Sequence, residues 1–297
     1  MKISANGLQL EVEDHGSPAG EPLLLIMGLG MQLVGWHDDL VQQFVSRGFR
    51  VIRFDNRDIG LSQGFDVHGV PSIPVAALKQ MVGLPVHPPY TLADMADDAA
   101  GVLAALGIAA AHVCGASMGG MIAQQMALRH PQRVKSLSLL MTSSGSRRLP
   151  GPAPRVRRAM LARPANPADL NSVLAHYQAL YALIGSPAYR PEPAWLEKRL
   201  RNSIGRAYRP AGTARQMMAI IADGDRSPQL ARISAPTQVI HGAADPLVPV
   251  AAAHDLARKI RGARLDVIEG MGHDLPVPLW PRFVGAVTAL AGLDKAA

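Results

Sequence analysis

The sequence predicts an α/β domain: a mostly parallel central sheet flanked by helices, with a helical cap inserted in its second half. Three observations point there. Short apolar runs of strand length alternate with helix-length amphipathic segments. Those runs are predominantly apolar, as strands covered on both faces are. The rhythm then breaks once, over residues 143–228, where a Pro/Arg-rich stretch leads into helical patterns without strands.

Taken in chain order, residues around Gly7 to Asp14 alternate polar and apolar, which suits antiparallel strands at a sheet edge. The interior strands are expected at Leu23–Met27, Val51–Phe54, His112–Cys114, Leu137–Met141, Thr237–His241 and Leu265–Glu269. Helical patterns fill the gaps at Asp38–Ser46, Leu92–Leu106, Met118–Arg129, Ala251–Lys259 and Pro281–Ala291. Thr91 is placed to cap the amide of Asp94, and the early acids Asp94, Asp97 and Asp98 favour the positive helix end. Arg129, His130 and Pro131 close the helix that follows Ser117. Phe65–Pro89 holds Pro71, Pro74, Pro85, Pro88 and Pro89 and reads as a long loop with one helical turn around Val75–Met81. Inside the insertion, Leu170–Leu183 and Pro193–Asn202 have helical spacing. The expected organisation is therefore a core from residues 1–142 and 229–297 and a cap from residues 143–228.

Bulk properties narrow the function classes. The 297 residues, 48% of them apolar, can bury a large core. Residues 147–215 hold 13 Lys or Arg against 3 Asp or Glu, which leaves −3 for the remainder of a chain whose net charge is +7. The basicity thus belongs to the cap. Aromatics make up only 4% of the residues, and no helix-turn-helix, zinc-finger or RNP-like spacing accompanies the charge, so no nucleic-acid partner is expected. Ala99–Leu128 lacks Asp, Glu, Lys and Arg, but Gly101, Gly107, Gly115, Gly119 and Gly120 interrupt it; it reads as a helix end, a buried strand and a second helix, not an integral membrane span. The lone Cys114 has no disulfide partner and reads as core. The start, MKISANGLQLEVEDHG, has no apolar h-region, so the cytoplasm is the expected location.

The chemistry concentrates at Gly115-Ala116-Ser117-Met118-Gly119, a G-x-S-x-G run. In this motif a strand turns sharply into a helix and lifts the serine to the apex of a strained turn. Only small residues fit two positions either side. The backbone amide of Met118, at the helix start, is then free to meet negative charge. A serine hydroxyl needs a base, and the base an orienting acid, in the chain order Ser, Asp or Glu, His. Asp245 follows one predicted strand and His273 follows the next, both at the sheet edge that Ser117 occupies. Asp223 and Asp225 precede their strand, Asp274 adjoins the base, His241 ends a strand and His254 lies in a helical pattern. Arg57 and Asp58 read as a hydrogen-bonded turn supporting the loop that faces the site. No metal or organic cofactor is implied, because H-E-x-x-H, paired-cysteine and dinucleotide-fingerprint spacings are missing.

These residues resemble the α/β-hydrolase superfamily over nearly the whole chain. IMGLG at Ile26–Gly30, FDNRDIGLS at Phe54–Ser62, the Ser117 elbow, GAADPLVP at Gly242–Pro249 and GMGHDLP at Gly270–Pro276 are similar to serine esterases of the aclacinomycin methylesterase-like branch. The resemblance implies a Ser117/Asp245/His273 triad and an oxyanion hole from the amides of Leu29 and Met118. It departs at one point: the usual His-Gly of the first oxyanion loop is Met27-Gly28 here, which bears on how that loop is held more than on the amides themselves. The function expected is hydrolysis of a small-molecule carboxylic ester through an acyl-enzyme. The same triad also serves lactone hydrolysis, acyl transfer, perhydrolysis and carbon–carbon bond hydrolysis, and a non-catalytic ligand sensor is the reading outside enzymes. Met31 and Met271 neighbour the proposed site and are candidates to line an adaptable apolar pocket. Oligomeric state is not legible.

Overall fold

The computed structural model describes residues 1–294. Its sheet has eight strands: β1 (Lys2–Ala5), β2 (Leu8–His15), β3 (Glu21–Ile26), β4 (Phe49–Phe54), β5 (Ala111–Ala116), β6 (Val134–Leu140), β7 (Thr237–Gly242) and β8 (Arg264–Ile268). Their spatial order is β1-β2-β4-β3-β5-β6-β7-β8. Only β1/β2 and β2/β4 pair antiparallel; the other neighbours are parallel. The expected antiparallel strands do lie at the sheet's amino-terminal edge.

Parallel neighbours need crossovers, and helices supply them. α1 (Asp38–Val45) links β3 to β4; α2 (Ile73–Met81) and α3 (Leu92–Ala105) lie between β4 and β5; α4 (Met118–Arg129) links β5 to β6. α5 (Pro154–Leu161), α6 (Leu170–Ile184), α7 (Pro193–Arg206) and α8 (Pro210–Asp223) fall between β6 and β7. α9 (Ala251–Lys259) links β7 to β8, and α10 (Trp280–Leu290) follows β8.

Side chains of β3 show why the sheet is apolar on both faces. Leu24 and Ile26 join the cluster beneath α3, α4 and α9, with Leu92, Met95, Ile122 and Leu256. Leu23 and Leu25 point the opposite way, into the cluster under α1 and α10 with Phe44, Trp280 and Phe283. The strand period of two sends alternate residues to opposite cores, and each fully buried large side chain contributes about 1.5–3 kcal/mol. Cys114 lies in the second cluster, where burial pushes its thiol up to about 12.

Local chemistry sets the helix bounds. Thr91 Oγ1 accepts from the Asp94 amide at 3.1 Å while Asp94 returns a bond to the Thr91 amide at 2.7 Å, a complete capping box. α2 runs longer than the single turn expected, because Pro74 sits in its first turn, where a missing N–H leaves no helical bond unmade. Two helices of the 143–228 segment, α5 and α8, were not legible. The charge-free run Ala99–Leu128 resolves into the end of α3, strand β5 and most of α4, and among the described residues no helix is long and apolar enough to cross a membrane.

Candidate active site

Ser117 stands between β5 and α4 with φ +56° and ψ −120°, a conformation that side chains rarely adopt. Main-chain atoms crowd the residues on both sides of it. A Cβ on Gly115 would lie 2.3 Å from the Gly119 carbonyl oxygen, and one on Gly119 would lie 2.1 Å from that of Ile26. The turn is pinned by the Ser117 amide donating to Leu140 O at 2.9 Å and by the Thr142 hydroxyl donating to Ser117 O at 2.7 Å.

Two further loops at the carboxyl ends of β7 and β8 deliver the partners. His273 Nε2 lies 3.0 Å from Ser117 Oγ, and His273 Nδ1 lies 2.7 Å from Asp245 Oδ2. An ionised carboxylate only accepts, so this geometry puts the imidazole proton on Nδ1 and leaves Nε2 able to take the serine proton. Asp245 is itself fixed, its Oδ1 accepting from the amides of Leu247 at 2.9 Å and Val248 at 2.8 Å. The His273 amide donates to Ile184 O at 2.7 Å, tying the histidine loop to the end of α6.

The competing groups have other tasks. His241 donates from Nε2 to Val248 O at 2.8 Å, and burial pushes its pKa down, so it stays neutral behind Asp245. Asp223 pairs with Arg226, and His254 lies on α9. Asp274 accepts from the Ser186 amide at 3.1 Å and from the Ser186 hydroxyl, and burial raises its carboxyl above the usual range. Among the described residues no group of three or more His, Cys, Asp or Glu is arranged to hold a metal ion.

The amides of Leu29 and Met118 are taken up by no turn, cap or loop bond among the described residues. Gly28 packs beside the serine, where an added Cβ would meet Ser117 Cβ at 3.1 Å. The loop after β3 is held by side chains in place of the missing histidine: Asn56 Nδ2 donates to Met27 O at 2.9 Å, and Asp55 Oδ1 accepts from the Leu33 amide at 2.7 Å. Burial raises the Asp55 carboxyl despite its bonds to Leu33, Leu61 and Arg206.

A cavity of about 450 Å³ opens between this loop and α6–α8, walled by Met31, Tyr177, Tyr181, Trp195, Tyr208 and Arg209 among others. Met31 lines this cavity, whose wall does not include Ser117, Asp245 or His273. Met271 does not line it: it is fully buried in the cluster under α1 and α10, because the Gly270–His273 turn sends its side chain to the core.

Sequence reasoning also missed how α8 meets the loops. Its buried stripe is Gly212, Arg215, Gln216 and Ala219, helical spacing occupied by polar residues. Arg215 makes a two-pronged pair with Asp58, Nε–Oδ2 2.6 Å and Nη2–Oδ1 2.7 Å, both residues almost fully buried. Burial raises the Asp58 carboxyl, but bonds from Arg215, the Phe65 amide and the Tyr90 hydroxyl outweigh it and hold the group below the usual range. Arg57 pairs instead with Asp98 at 2.6 Å. The FDNRDIGLS turn is thus a junction between sheet, α3 and α8, with more distant partners than the supporting hydrogen-bonded turn expected.

Residues 21–277 match the family described as the alpha/beta hydrolase fold. The chain belongs to that family. This α/β hydrolase is 28% identical over 306 residues to the rhodomycin D methylesterase of Streptomyces peucetius, with 97% of this chain and 96% of that protein covered. A hydrolase from Pseudomonas aeruginosa PA01 is 29% identical and superposes with a TM-score of 0.71 over 98% of both chains. The enol-lactonase from Burkholderia xenovorans LB400 shares the fold at a TM-score of 0.75 and 24% identity, over 98% of this chain and 100% of that one.

Proposed function

We infer that this α/β hydrolase cleaves carboxylic esters, with Ser117 as nucleophile, His273 as general base and acid, and Asp245 as the group that orients the histidine. The observation that carries the reading is the unbroken hydrogen-bonded chain from Asp245 through His273 to Ser117 Oγ. Ser117 Oγ attacks the ester carbonyl carbon as its proton passes to His273 Nε2. The tetrahedral oxyanion is assigned to the amides of Leu29 and Met118, which no turn, cap or loop bond among the described residues takes up. His273 then gives the proton to the departing alkoxide, leaving Ser117 acylated. Water repeats the sequence and releases the acid.

The likeness to a methylesterase over almost the full length supports esters as the substrate class. Helices of the 143–228 segment form the cap over the core, and the cavity beneath them, with Met31 in its wall, receives part of a small-molecule ester. The steps call on no cofactor. Ser117→Ala tests the assignment: turnover of a p-nitrophenyl ester falls on the order of 10⁶-fold with the fold intact by circular dichroism, and retained turnover sinks it.

A further inference from the structure

Gln216 is fully buried on α8, and both ends of its amide are used. Oε1 accepts from the Gly30 amide at 2.9 Å, and Nε2 donates to Arg57 O at 2.9 Å. One partner only donates and the other only accepts, so a single orientation of the side-chain amide satisfies both. The chain here is Met27-Gly28-Leu29-Gly30. Met27 O is held by Asn56 and the Gly30 amide by Gln216, so the Leu29 amide lies between two pinned peptides. Gly30 has φ +66°, and a Cβ there would meet the Thr213 hydroxyl oxygen at 2.8 Å, so α8 also packs directly on this turn. A donor for a transient oxyanion contributes only while it is aimed before the charge forms.

The geometry points to Gln216 as a positioning residue through which α8 aims the Leu29 amide at the reacting oxygen, making the segment between β6 and β7 part of the transition-state machinery. The inference rests on the esterase reading above. Its consequence is a selective one: loosening Gln216 weakens binding of the oxyanion while leaving ground-state ester binding alone.

Two variants test it, each beside the unmodified protein. Gln216→Met keeps length and burial but makes neither bond. We expect kcat to fall about 10- to 100-fold, less than outright loss of an oxyanion donor, with KM within about twofold. Affinity for a trifluoromethyl ketone, whose adduct carries the oxyanion, falls by a similar factor, while that of an unreactive amide analogue is unchanged. In Gln216→Glu the protonated acid can reproduce both bonds and the carboxylate cannot. Activity of that variant therefore falls as pH rises and the carboxyl ionises, adding a descending limb that the unmodified protein lacks. Unchanged kcat and ketone affinity in Gln216→Met, equal loss of ketone and amide affinity, or a Gln216→Glu profile without the added limb each overturn the inference. If the unmodified protein neither turns over esters nor binds the ketone, the esterase reading itself fails, and this inference with it.

Discussion

The serine elbow and the α8 junction are both dense and buried, and in the proposed reading both orient parts of one site, but by opposite means. The elbow is shaped by backbone sterics within a few residues: Gly115 and Gly119 exist there because a Cβ would strike main-chain oxygen. The junction is shaped by side chains far apart in sequence, with Arg215 reaching Asp58 and Gln216 reaching Gly30 and Arg57. Local steric demands leave a motif behind. Long-range polar pairings leave only a scatter of ordinary residues.

Substitutions break the two regions differently. Arg215→Met should have the largest effect, destabilising by about 3–5 kcal/mol in urea denaturation, because the Asp58 carboxylate is left buried without its partner. Adding Asp58→Asn to it should cost much less than the two single changes summed, whereas additive losses would mean the pair does not act as a unit. At the elbow, Gly119→Ala should cost about 2–3 kcal/mol through overpacking against Ile26 O, and no second-site side-chain change should rescue it. A local control away from both regions is Thr91→Ala, which removes one half of the α3 capping box and should cost about 1 kcal/mol by the same measurement.

The smallest effect depends on pH. The folded-state pKa of Asp274 is raised, so its contribution to stability is present below the unfolded value of about 3.9 and is lost as pH rises through the folded value. Asp274→Asn stays uncharged. It should therefore match the unmodified protein in Tm at the acid end and exceed it at neutral pH, and a Tm difference independent of pH would refute that assignment. Asp58 has the opposite sign: its pairing is fully present above about 3.9 and is lost as pH falls through its lowered folded value, so Arg215→Met should come closer to the unmodified protein in strong acid.

The same contrast explains what could be read in advance. Ser117 was legible because G-x-S-x-G followed an apolar strand, and Asp245 and His273 because each follows a strand in the required order; the structure brings all three within hydrogen-bond distance. The strands were legible because both faces are covered. α5 and α8 were not, since α5 opens on Pro154 amid arginines and α8 buries Arg215 and Gln216 where an apolar stripe would have signalled a helix. Met271 misled through its nearness to His273 in sequence, because adjacent residues of a turn can face opposite sides. Met27 in place of the usual histidine raised the question of what steadies the loop after β3, and the answer, Asn56, Asp55 and Gln216, lies outside that loop's own IMGLG run.

The central claim is tested most directly by reacting the protein with a fluorophosphonate, mapping the adduct by peptide mass, and following p-nitrophenyl ester turnover in the same sample. The account predicts one adduct, on Ser117, with turnover lost in proportion to labelling. Labelling elsewhere, or turnover that survives complete modification of Ser117, would contradict it.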